Sequence, residues 1–260
     1  MKKLILLSSM MLLCLPLAAY GAGIGGPTTG GQFKFNIGLE QDVVVDRDFK
    51  PTSIVVPVII DNQTVGDCDI RHMYRTMLNF SFGVFDFLDV YVKLGGAGFK
   101  FRTDFEDQFG NPEGNAVVHT KMGFAYGGGL KGAYEFKEGP LKGLLIGADA
   151  QYLRHRQRYH AMIDSIMGPS DATGHVTLQE WQAGPFVGYK IMNFLPYVGV
   201  KYSDVRLKFK EAGETTKFKA EDHVGTFVGL TYDVIPQLKL NLEGRFIDEY
   251  GVNFNVIFKF

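Results

Sequence analysis

What most constrains this chain is its alternation. From Gly31 to the last residue, apolar and polar side chains trade places at every second position in one segment after another. That is the period of a strand with two unlike faces, and no helix keeps it. The last ten residues, GVNFNVIFKF, carry it most plainly. Val252, Phe254, Val256, Phe258 and Phe260 fall on one face; Asn253, Asn255 and Lys259 fall on the other, with Ile257 the one apolar intruder. The chain is expected to be all-β.

The polar face selects among all-β architectures. Phe35, Ile37 and Leu39 oppose Asn36, Gly38 and Glu40; Val90 and Val92 oppose Tyr91 and Lys93; Val198, Val200 and Tyr202 oppose Gly199, Lys201 and Ser203. A soluble sandwich would bury the apolar face and wet the polar one. Here the polar face is rich in glycine as well as charge, which suits a narrow interior. Phe and Tyr gather near the ends of the other face, as aromatic girdles do at membrane interfaces. Short turns such as FDFLD, KIMNFLP and DVIPQL alternate with long connections. Lipid offers backbone polar groups no partner, so a sheet facing it has to close. These features predict a closed antiparallel transmembrane β-barrel of about ten strands, eight being possible, with short periplasmic turns and long extracellular loops. Pro185, inside a strand, predicts a bulge.

Residues 1–21 read as a separate leader. Lys2 and Lys3 precede an apolar run from Leu4 to Leu17, and small residues follow up to Ala22. This is the pattern of a secretory signal, with cleavage expected after Gly21. The run is shorter than the roughly 20 apolar residues of a spanning helix. Residues 22–260 then form one barrel domain in the bacterial outer membrane, expected to be a monomer with both ends in the periplasm. A formal net charge of −1 gives no global nucleic-acid footprint. Cys68 is the only thiol beyond the leader, so no internal disulfide is expected.

Chemistry is sparser. Glu40, Asp42, Arg75, Lys93, Lys121, Asp149, Glu180, Lys201, Glu243 and Arg245 all fall on the inward face. Buried charges persist when paired, so opposite signs on neighbouring strands predict an ion-pair network filling the lumen. A narrow pore lined by the same residues is the alternative. RHRQRYH begins the third outer loop and places Arg154, Arg156 and Arg158 on one side, where guanidinium forks could take the phosphates of lipopolysaccharide. The apolar run from Ser53 to Ile60 is expected to extend a strand or fold over the barrel mouth. Asp104, Glu106 and Asp107 offer oxygen ligands but lack calcium-loop spacing. No metal and no cofactor is predicted.

The terminal Phe260, with Phe258 and Val256 at alternate positions before it, resembles the assembly signal of bacterial outer-membrane barrels. VFDFLDVYVKLGGAG and FLPYVGVKYS are similar to strand-and-turn pieces of the small opacity-like or surface-antigen barrels. The resemblance implies insertion in the outer membrane, and the expected role is non-enzymatic: a structural or surface-interaction barrel whose loops contact lipopolysaccharide or external partners. Its partners would be outer-membrane lipid, lipopolysaccharide and the machinery that inserts barrels. A weaker likeness, to the omptin proteases, rests on Asp67 and Asp69 in DCD and on Asp222 and His223 in EDH. It would make an Asp–His pair a general base at the outer rim.

Overall fold

The computed structural model describes residues 23, 26–53, 64–106, 112–165, 170–211 and 214–260. The expected leader, Asp107 and, apart from Ser53, the apolar run up to Ile60 lie outside them. Twelve strands follow in chain order: β1 (Phe35–Ser53), β2 (Thr64–Phe85), β3 (Leu88–Glu106), β4 (Pro112–Thr120), β5 (Gly123–Glu135), β6 (Leu144–Ser165), β7 (Ser170–Tyr189), β8 (Phe194–Glu211), β9 (Glu214–Ala220), β10 (Val224–Ile235), β11 (Leu238–Phe246) and β12 (Tyr250–Lys259). All pair antiparallel in one sheet, and β12 pairs with β1, so the sheet comes round on itself.

The count exceeds the ten expected for a physical reason. β4 and β5 run one after the other along the same neighbours, β3 and β6, and are separated at Lys121 and Met122. In the same way β9 and β10 both lie along β8, with residues 221–223 between them. Pro185 makes no bulge, since β7 keeps one register against β6 through the proline.

The long outer loops are corrected as well. β2 and β6 are 22 residues each, about twice the 9–11 residues that cross hydrocarbon. Much of what the sequence presents as loop is therefore strand, projecting past one end of the barrel. Only residues 166–169 separate β6 from β7. The opposite end keeps short turns, at residues 86–87, 190–193 and 236–237, with one longer turn at 136–143.

Along its length the barrel has two tiers of opposite polarity. In the tier beside the short turns, Leu78, Phe80, Val92, Val198 and Val200 stand exposed on the outside, while Glu40, Arg75, Lys93, Lys201 and Glu243 are buried inside. Exposed rings mark both limits of this apolar belt: Phe85, Tyr134, Tyr189 and Phe194 at one, Tyr74, Tyr126, Tyr152, Trp181 and Tyr202 at the other. Beyond that second ring the pattern reverses. Val44, Phe49, Ile70, Phe99, Phe101, Val176, Leu178, Leu207, Phe209 and Phe218 join one buried apolar cluster inside, and the outside becomes polar.

Four of the strand paths reach this reversal by changing face. β1 slips register against β12 between Val44 and Asp46, and Arg47 and Phe49 turn inward where even-numbered residues did so below. β2 slips between Arg71 and Tyr74, at His72 with φ 60°. The breaks at 121–122 and 221–223 do the same for the other two paths. An inserted residue exchanges the two faces of a strand, because side chains alternate with period two. β3, β6, β7 and β8 keep their faces, and their residue types change instead.

Candidate functional site

The interior of the belted tier is an ion-pair network. Arg75 pairs with Asp42 and, at 2.5 Å, with Glu180. Arg47 reaches Glu180 at 3.1 Å, Asp248 at 3.0 Å and Glu249 at 3.0 Å. Arg245 joins Asp42 and Glu249, Lys201 joins Asp248 and Glu249, and Lys93 holds Glu40 at 2.8 Å. Ser203 Oγ donates to Asp248 at 2.7 Å and accepts from Arg47 at 2.6 Å. Tyrosines hold the remaining acids: the Tyr91 hydroxyl donates to Asp149 at 2.9 Å, and that of Tyr197 to Glu243 at 2.8 Å.

Nine of the ten inward charges predicted from sequence are thus buried inside. Lys121 is the correction: it is exposed on the outer wall, because it sits in the break between β4 and β5 where the alternation resets. Arg47, Asp248 and Glu249 were not predicted. Arg47 lies beyond the β1 bulge, so its odd number reads as outward. Asp248 and Glu249 belong to the turn between β11 and β12, which folds into the barrel. A positive φ of 83° at Ile247 marks the point where it turns.

Little space is left at the level of the ion pairs, although a hollow of about 670 Å³ opens at the short-turn end among Thr28, Thr29, Asp86, Lys190 and Lys239. Phe186, Leu195, Tyr197 and Phe227 pack together near the short turns, and the glycines opposite give their rings room. A Cβ on Gly129 would lie 2.5 Å from the Tyr91 hydroxyl oxygen. A polar cavity of about 30 Å³ lies among Asn36, Asn79, Asp89, Tyr91, Lys131 and Asn255, room for about one water.

Arg154, Arg156 and Arg158 lie on β6 rather than in a loop, all on its outer face. Cross-strand pairing aligns them with further cations. Arg154 is opposite Gln179, which is opposite Arg206; Arg156 leads through Thr177 to Lys208, and Arg158 through His175 to Lys210. Beyond β8, Arg206 and Lys208 face Lys219 and Lys217. The rows begin just past Tyr152 and Trp181, which face each other across β6 and β7. A hollow of about 620 Å³ opens at the far row, lined by Lys121, Arg158, His160, His175 and Lys210.

The opposite wall is acidic. Asp46, Asp48, Asp67, Asp69 and Asp104 line a second hollow, with Arg71 on Asp69 at 2.5 Å and Arg102 on Asp104 at 3.0 Å. Partial burial, then the charges of Asp46 and Asp69, push the Asp48 carboxyl above its ordinary range. Cys68 points into the apolar cluster, where burial pushes its thiol up to about 11. Asp67 and Asp69 stand on β2, and Asp222 and His223 in the break between β9 and β10. His223 Nδ1 is bonded to the Ser203 carbonyl at 2.9 Å and its ring stacks on Tyr202. No hydrogen bond joins it to Asp222 among the described residues.

Phe260 is exposed at the end of β12, its amide donating to the Phe35 carbonyl at 2.9 Å. Phe258 and Val256 are half-buried on the same outer face.

No protein-family model matches the chain, and no curated protein matches it in sequence. Solved structures do. The outer membrane protease OmpT from Escherichia coli superposes with a TM-score of 0.51 at 11% identity, over 87% of this chain and 94% of that one. The translocator domain of the autotransporter NalP from Neisseria meningitidis gives 0.46 at 10% identity, over 100% and 98%. OprG from Pseudomonas aeruginosa gives 0.31 at 11% identity, over 88% and 97%. The likeness gives no support to an opacity-like subtype, and at such identities it concerns fold alone. In fold the chain is of the bacterial outer-membrane β-barrel type.

Proposed function

We propose that this protein is a non-enzymatic, closed outer-membrane barrel whose belted tier spans the bilayer and whose cationic outer wall docks lipopolysaccharide. On this reading the short turns are periplasmic, and the apolar-cored tier stands outside the membrane. The observation that carries the reading is the three-row array of Arg and Lys directly past an aromatic ring of Tyr152, Trp181 and Tyr202. Lipid phosphates sit at that height above hydrocarbon, and guanidinium groups bind them through charge-assisted, often bidentate bonds.

Replacing Arg154, Arg156 and Arg158 together by glutamine is expected to leave the barrel folded. It should weaken lipopolysaccharide binding about tenfold or more at low ionic strength, and less at high salt, where exposed charges are screened. Titration of the refolded variant with fluorescent lipopolysaccharide measures this; unchanged affinity would reduce the rows to a hydrated basic surface. The filled interior supports a closed barrel over the channel alternative. Against the protease alternative stands the bond of His223 Nδ1 to the Ser203 carbonyl instead of to Asp222.

Bilayer placement has its own test. Val198 is about half exposed, midway between Phe194 and Tyr202 on the outside of β8. Val198→Lys is expected to cost about 2–4 kcal/mol of folding free energy in phospholipid bilayers, the penalty of a midplane lysine. Thr177→Lys, among the cationic rows, should cost much less. Equal costs would move the membrane off the belt.

A further inference from the structure

The lower lumen also holds a segment of main chain. Gly23 and residues 26–31 precede β1, yet their contacts are with inward-facing groups. The Gly23 carbonyl accepts hydrogen bonds from Lys93 Nζ at 3.2 Å and Gln151 Nε2 at 3.3 Å. Lys239 Nζ donates to Thr28 Oγ1 at 3.3 Å, and Lys259 Nζ to the Thr29 carbonyl at 3.1 Å. Nearer the mouth, the Gly30 amide donates to Asp89 Oδ2 and the Thr29 hydroxyl to the Asp86 carbonyl, both at 2.8 Å.

Four of these six contacts are to backbone atoms and two to threonine hydroxyls, and the glycines of the segment let it pass close to the wall. A Cβ on Gly23 would lie 2.6 Å from Asn253 Cγ. Gly26 has φ +82°, a left-handed conformation that suits glycine, with Thr231 and Asn241 crowded against it. Most of the anchors flank the seam. Asp86, Asp89 and Lys93 stand on or next to β3, and Lys239 and Lys259 stand on β11 and β12; Gln151, on β6, lies farther round the barrel. The short way from β3 to β11 crosses β2, β1 and β12, so the segment ties together the two flanks of the β12–β1 seam.

We propose that the lower lumen is a binding site for a glycine-rich peptide, occupied in cis by Gly23 and residues 26–31, and that this occupancy latches the β12–β1 seam. The seam joins the first strand to the last and carries no covalent constraint. A bound segment bridging its flanks lowers the chance of local opening there, since such openings are governed by the local contacts that must break.

Labelling and hydrogen exchange on the purified full chain test the proposal. With a water-soluble maleimide, Thr28→Cys is expected to react at least about tenfold more slowly than Gln32→Cys, the ratio reporting local protection. The unsubstituted chain serves as the blank. Adding Gly26→Val should abolish that protection and speed exchange of the β1 amides between Gly38 and Val43 by about tenfold, with the β6–β7 ladder unchanged. Equal labelling at the two cysteines would overturn the site; unchanged exchange at the seam in a folded Gly26→Val chain would overturn the latch. Should Gly26→Val fail to refold, Lys259→Met carries the test by deleting one anchor at the mouth. There a several-fold rise in labelling and seam exchange is expected, about what one lost hydrogen bond yields, and no rise would overturn the proposal.

Discussion

Replacing Arg75 by alanine is expected to lower the unfolding free energy by about 3–5 kcal/mol, the cost of leaving buried charge without its partner. The Arg75 guanidinium bridges Asp42 and Glu180, and both carboxylates are almost fully buried. Removing it strands two anions in a region with little room for water. Arg245 and Arg47 each reach one of them, which relieves part of the loss but not the geometry. Urea unfolding in bilayers measures the effect. The companion variant Arg75→Met with Glu180→Gln should recover part of it, since it removes charge of both signs. A loss below about 1 kcal/mol, the worth of an exposed pair, would mean that the lumen is wet and open to ions.

Much of the belted tier was legible in the sequence because a single physical rule governs it. Where the outer face is apolar and the inner one crowded and polar, period two separates most of the two sets, with Phe186, Leu195 and Phe227 as apolar residues turned inward. Val92 and Lys93 fall as the pattern says, exposed and buried. Pairing partners were legible only as opposite signs. Nothing in the spacing tells Glu180 that its cations come from β1 and β2, since those contacts cross the lumen instead of following the ladder.

The second tier was not legible, although its signal was present. On β6 the inward positions run Leu153, His155, Gln157, Tyr159 and Ala161, while the outward ones carry the arginines. That is still period two, with the polarity exchanged, and a reader expecting loops after the aromatic ring takes the charged positions as solvated turn. On β1 and β2 the exchange comes with bulges, which shift parity by one and break the pattern outright. Arg47 was missed for that reason. The segment at residues 23–31 was missed for another: GIGGPTTGG has no periodicity at all, and its placement depends on its glycines.

The exchange of polarity also decides where stability resides. Past the belt the outer face is polar and the interior apolar, so the sheet there depends on the apolar cluster, as in a soluble protein. Phe101 is the hub of that cluster: its ring meets Phe49 edge-on at 6.2 Å, Phe209 at 5.4 Å and Phe218 at 5.1 Å. It is 1% exposed. Phe101→Ala is expected to cost about 3–5 kcal/mol, transfer and cavity terms together. Exchange should quicken first in the upper parts of β3, β8 and β9, while the belted tier keeps its protection. The cavity should not open a conducting path, because the ion-paired interior lies beneath it. Planar-bilayer recording and hydrogen exchange on the same preparation separate the cases. Lost protection without conductance is the result expected of two stacked, independently packed tiers. Steady conductance in Phe101→Ala would show that the aromatic cluster is the seal, and that the ion pairs beneath it line a passage.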